Sequence, residues 1–368
     1  MPLPFIIGAA ALVTAAYGAK KGYDGYQKHS EADEIVKDAQ ARYERRKSAV
    51  DTQEEKTTVA LDLLGKKELE IGKSIGEFKT LADKLLQQLN AGRDNKLNIS
   101  IPKHELQKIE NYSITAISVL GTAVGAGAAG AAVGFAVYGG VMALGAASTG
   151  TAISALSGVA ATNATLAALG GGALSAGGLG MAGGTVILGA AVAAPVLAIA
   201  GWAYDSHGEE ALINARKAND EVSRAVEKLM KASEQLAKTE VYARKIKVEL
   251  TTISGQFQHY FDTLKDINRF VDDIKGRNVD VGAEIEKLGD DVLRVIENGY
   301  ALAAILVNLI IVPIFRPAKI NGKVVHNKDG VPEMEKDADG SMILNDAELD
   351  LALRQAESQA GNIEAARS

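Results

Sequence analysis

Residues 111–204 contain no Asp, Glu, Lys or Arg; the last charge before them is Glu110 and the next after them is Asp205. In a chain that is 23% charged, a gap of this length marks a segment suited to a medium other than water. Its 94 residues include 20 glycines and 28 alanines. Each interior glycine costs a helix in water about 1 kcal/mol relative to alanine, so this composition makes a poor soluble helix. In a bilayer, unpaired backbone groups are too expensive to leave exposed, which enforces helix, and small side chains let helices approach closely. The spacing follows that second logic. Gly121 and Gly125, Ala126, Gly130 and Gly134, Ala136 and Gly140, and Gly180 and Gly184 stand four apart, on one helix face. These glycines are the expected membrane-insertion and helix-packing positions. Glycine clusters at 139–140, 145–150 and 170–180 divide the zone into stretches near the roughly 20 residues of one crossing, giving two to four crossings.

Charged helical segments flank this zone. In 23–110 the apolar residues Leu61, Leu64, Ile71, Ile75, Phe78, Leu81, Leu85 and Leu89 fall mostly at three- or four-residue steps, until the turn chemistry of 91–95 ends the helix. In 205–298 the pattern runs in sevens. Val222, Leu229, Leu236, Ala243 and Leu250 form one row, and Ala225, Ala232, Thr239, Ile246 and Ile253 the other. Such a repeat predicts a bundle or coiled-coil seam, with Val222, Leu229, Leu236, Ile246 and Leu250 as its larger members. Gly255 is a candidate interruption of this helix. The two flanking segments are expected to pack antiparallel, which places them on one side of a membrane and makes the number of crossings even. Beyond them lie a short apolar segment at 299–317 and, at 318–368, a small hairpin around Asn321 and Gly322 followed by a polar helical tail read as a surface element.

At the other end, residues 1–22 hold an apolar run followed by Lys20 and Lys21, with no basic residue in front of it. A cleavable signal peptide carries its charge first, so this is read as an uncleaved hydrophobic helix close to the minimum spanning length. The net charge of −6, with basic residues interleaved among acidic ones, leaves no basic stripe for nucleic acid. Cysteine is absent, which removes disulfides and thiolate chemistry.

Enzymatic signals are weak throughout. Gly72, Lys73 and Ser74 look like the end of a phosphate-binding loop, but Lys67 stands where its first glycine belongs. Glu335, Asp337, Asp339 and Gly340 resemble part of a calcium loop and read better as a solvated acidic turn. The five histidines show no metal-ligand spacing, although His104 and His207 flank the uncharged zone and are placed for a pH trigger. No enzyme activity, cofactor or metal is expected. The zone lacks the ionisable groups that transporters place in the membrane; its hydroxyls, Ser113, Thr115, Ser118 and Thr122 among them, suit helix–helix hydrogen bonds or a neutral pore lining.

Long charged helices, an unbroken hydrophobic centre at 111–204 and further long helices: this order, over residues 20–300, resembles the α-helical pore-forming toxins of the cytolysin A and haemolysin BL type. The glycine-zipper character is also similar to apolipoprotein L-like membrane proteins. The resemblance implies an all-α protein, a long helical bundle or coiled coil with a central Gly/Ala-rich hairpin that is hidden in a soluble form and exposed on insertion. It implies a bacterial toxin or effector that permeabilises a bilayer as a homo-oligomer, alone or with a second protein component, and that is membrane-associated after a soluble cytoplasmic state. The alternative is a constitutive membrane-anchored scaffold that recruits a partner through its coiled-coil helices.

Overall fold

The computed structural model describes residues 19–90, 98–122, 132–139, 208–276, 281–325, 333–338 and 342–366, and these are overwhelmingly helical. The protein is of the all-α class. The N-terminal run up to residue 18, and Gly125, Gly130, Gly140, Gly180 and Gly184, lie outside the described residues, and with them the number of crossings. Helix α1 runs Ala19–Asn90, α2 Lys103–Thr122, α3 Gly208–Gly276, α4 Val281–Ile310 and α5 Asp346–Ala365, with a π-helical turn at Phe135–Gly139. The chain divides into two compact units, Met1–Val50 with Val192–Lys231 and Asp51–Ala191 with Ala232–Ser368.

The length of α1 and α3 follows from the regularity of their buried rows. On α1, Val50, Thr57, Leu64, Ile71, Phe78 and Leu85 are buried at intervals of seven, and so are Leu61, Glu68, Ile75, Ala82 and Leu89. On α3, Val222, Leu229, Leu236, Ala243 and Leu250 form one buried row, which continues through Phe257, Leu264 and Val271. Ala232, Thr239, Ile246 and Ile253 form the other, while Ala225 at its expected start is only half-buried. A strict seven-residue repeat keeps the apolar side of a long helix facing one way. The solvent side carries ion pairs four residues apart, such as Asp62 with Lys66 at 2.7 Å and Glu234 with Lys238 at 2.8 Å. Each adds only a few tenths of a kcal/mol. Gly255 does not interrupt α3; it sits in open space while Ile253 and Phe257 on either side are buried, and their burial outweighs its poor propensity.

The smaller unit joins Ala32 on α1 to Ala211 and Ala215 on α3, small side chains that permit close approach. Arg42 there donates to Asn219 Oδ1.

In the larger unit α1 and α3 run parallel, not antiparallel. Thr57 Oγ1 donates to the Leu236 carbonyl at 3.0 Å and Lys84 Nζ to Asn268 Oδ1 at 2.8 Å, so both helices advance together. A seam of sevens fixes which residues meet a partner but not the partner's direction, and the return path is taken by α2. Lys79 on α1 meets Glu110 at 3.6 Å and the Glu68 carbonyl meets Tyr112, so α2 descends as α1 ascends. Helix α4 descends beside α2, with Ser100 N donating to Glu297 Oε1 at 2.8 Å and Lys108 Nζ to Asn308 Oδ1 at 3.4 Å.

At the centre, Phe78 packs edge-on against Phe257 at 5.2 Å and Tyr300 at 5.2 Å between ring centroids, and is also near Phe261 at 6.0 Å. Gly299 on α4 lies so close to the Phe78 ring that any side chain there would overlap it.

The patterned stretch up to Asn298 and the apolar run after it form one helix, α4, and its Gly289–Ile310 part is long and apolar enough to cross a membrane by length and composition. Leu302, Ala303, Leu306 and Val307 on it are nonetheless buried in the core. The hairpin forms as expected, with β1 (Lys319–Ile320) pairing antiparallel to β2 (Lys323–Val324). Asn321 and Gly322, with φ of 52° and 77°, make the two-residue turn that suits strand twist. The polar tail is more than a surface element. As α5 it buries Leu349, Ala356 and Ala360, and Gln256 Nε2 on α3 donates to Glu364 Oε2 at 2.8 Å.

Candidate functional site

Three glycines on α1, Gly65, Gly72 and Gly76, follow one another at steps of seven and four, which sets them on one side of the helix. Each faces the start of the charge-free segment. A methyl group on Gly65 would overlap the backbone carbonyl of Ala132, and one on Gly72 would overlap the Ala116 side chain. On Gly76 it would stand 2.8 Å from Ile117 Cδ1. Absence of a side chain is therefore what lets this segment lie against α1, the close-approach logic of small residues applied to the receiving helix.

Aromatic and polar groups fix the register. Tyr112 and Phe135, both buried, pack with ring centroids 6.1 Å apart. The Tyr112 hydroxyl donates to the Glu68 backbone carbonyl at 2.7 Å. Replacing Tyr112 with phenylalanine is expected to cost about 1 kcal/mol of stability, the worth of one such hydrogen bond, and chemical denaturation followed by circular dichroism measures it.

Glu68 itself is 3% exposed and belongs to the buried row of Leu61, Ile75, Ala82 and Leu89. Its Oε2 has no hydrogen-bond partner among the described residues. Burial pushes its carboxyl well above the usual carboxylate range. Charged groups stand at the entrance to the segment, where Lys108 Nζ lies 2.9 Å from Glu105 Oε1 and the exposed His104 lies 3.2 Å from the same oxygen. Although burial acts to raise the Glu105 carboxyl, the Lys108 ammonium and the Asn308 amide outweigh it and hold it below its ordinary value. His207 lies outside the described residues.

Of the glycines expected to pack, Gly121 is exposed, with open space where a Cβ would stand, and Gly134 is buried. The hydroxyls of Ser113 and Thr115 bond back along their own helix, to the Glu110 carbonyl at 3.0 Å and the Asn111 carbonyl at 2.8 Å. Among the described residues they make no helix–helix bond. Val222, Leu229, Leu236, Ile246 and Leu250 are all buried. Gly72, Lys73 and Ser74 sit in the middle of α1, with no loop to cradle a phosphate. Among the described residues no cluster of His, Asp or Glu is placed to hold a metal ion.

Sequence reasoning missed Glu68 and the α1 glycines. Counting α1 in sevens from Leu61 to Leu89 would have found Glu68, the single charged member of that stretch. Compared with protein-family models, characterised proteins and solved structures, the chain has no match.

Proposed function

We propose that this is an α-helical membrane-inserting protein that forms pores: its charge-free segment is stowed against α1, is released to enter a bilayer, and associates with other copies through its glycine and alanine faces. The long helices act as a bundle that carries the segment and, through their seven-residue seams, brings copies together. The observation that carries this reading is the glycine-lined seat. Gly65, Gly72 and Gly76 receive the beginning of a 94-residue stretch without a charge, too apolar to remain in water alone. The half-exposed Ile114 and Ile117 on the same segment, and the buried membrane-length stretch of α4, fit a molecule that stores apolar surface.

Purified protein added to dye-loaded anionic liposomes is expected to release the dye in proportion to protein bound. Intact liposomes at every protein ratio and pH would end this proposal. Carbonate extraction of membranes separates it from a permanent scaffold: a stowed pore-former is partly extracted, whereas an anchored scaffold stays in the pellet.

A further inference from the structure

We propose that Glu68, set among the glycines Gly65 and Gly72, is a proton-sensitive latch: as a neutral acid it lets the charge-free segment dock on α1, and on ionising it forces that segment away. In purpose the latch rests on the insertion proposed above, but docking and release are properties of the protein in water.

Position makes the case. Glu68 takes a place in a buried row whose other members from Leu61 to Leu89, Leu61, Ile75, Ala82 and Leu89, are apolar, and a seam position of this kind demands a neutral occupant. It lies one helical turn from Gly65 and from Gly72, the two α1 glycines where an added methyl would overlap the charge-free segment most severely. The hydroxyl that pins the segment ends on the Glu68 carbonyl. One residue thus anchors the segment with its main chain and holds an unpartnered carboxyl oxygen beneath it.

Among the described residues no cation is set against this carboxylate, and burial alone accounts for its raised value. On its own helix Lys67 is 3.4 Å from Glu70, and Lys66 is 2.7 Å from Asp62. From α2 the titratable group facing it is Tyr112, a hydroxyl whose proton is already given to a carbonyl. On α3, Arg244 is exposed and held by Glu240 at 2.8 Å, and Glu249 is raised by its own burial and then by Glu357; neither acts on Glu68. The segment it supports brings no charge anywhere in residues 111–204. An ionised Glu68 therefore has one way to regain solvation, which is to open the seat to water.

The direction follows from linkage. With the folded carboxyl held above the ordinary value of 4.5, docking is fully stable below that pH. Stability falls as pH rises, and the loss is complete above the raised value. Over that interval the opening equilibrium grows about tenfold per pH unit. The latch therefore holds in acid and yields toward alkaline pH.

Hydrogen exchange of the amides of α2 tests it, from about pH 5 to about pH 9 and corrected for the intrinsic base catalysis of exchange. In the native protein corrected opening is expected to rise by at least tenfold across this range. In Glu68→Gln, which keeps the shape and fixes the neutral state, it should stay flat. Glu68→Met, apolar and of similar length, should be flat as well and serves if the glutamine variant folds poorly. Equal profiles in the native and both variant proteins would overturn the latch, whatever the liposomes show. A pH-dependent opening that the variants abolish, in a protein that leaks no liposome, would uphold the latch and remove the pore-forming role.

Discussion

Phe78→Ala is expected to lower the stability of the larger unit by about 3–5 kcal/mol, the range for a large aromatic side chain removed from a packed core. Phe78 is fully buried and stands edge-on to Phe257, Phe261 and Tyr300, so its loss leaves three rings without their common contact. Edge-to-face pairs contribute about 0.5–1.5 kcal/mol beyond buried area, which places this variant toward the upper end. On the α4 side Gly299, the residue nearest the Phe78 ring tip, has no side chain to fill the space left. Urea titration followed by far-UV circular dichroism measures the change, and a loss under about 1 kcal/mol would mean that the aromatic node is not the centre of the core.

Gly65→Ala is the second large effect, and its sign is diagnostic. In an exposed helix interior the exchange stabilises by about 0.5–1 kcal/mol. At Gly65 the added methyl would overlap the Ala132 carbonyl, a backbone group that no rotamer change removes. The helix gain is expected to be overturned by overpacking of about 1–3 kcal/mol, with loss of exchange protection in residues 132–137 and α1 itself intact. Gly255→Ala provides the contrast, since that position in α3 has open space and should show the ordinary gain. If both variants were stabilised equally, the charge-free segment would not be seated on α1 in solution.

Much of the helical framework was legible because its period is written directly in the residues. The α3 row from Val222 to Leu250 can be counted without knowing what it touches, and every member is buried. The matching rows of α1 were harder to see, because Thr57 and Glu68 occupy places where apolar residues are expected. Those two exceptions carry information: Thr57 bonds across to the Leu236 carbonyl, and Glu68 receives the Tyr112 hydroxyl of the segment on its own carbonyl. The seat was not legible, because what requires Gly65 to be glycine is Ala132, a residue far along the chain. Helix direction was not legible either, since a seam of sevens reads the same for parallel and antiparallel partners. The burial of α5 was hidden by its composition. Its inward face is Leu349 with the alanines Ala356 and Ala360, too small to stand out among the surrounding charges.

The parallel course of α1 and α3 bears on how the protein is made. The bonds from Thr57 and Lys84 that join them link residues 179 and 184 apart, whereas Tyr112 is 44 residues from its anchor on Glu68. At a synthesis rate of 5–20 residues per second, α1 emerges roughly ten to forty seconds before its partner α3. During that interval the nascent helix has α2 as its nearby companion, and loop-closure entropy favours the shorter link. The segment cast as the part that leaves the mature molecule would thus be the first to arrive, shielding an apolar row from aggregation on the ribosome.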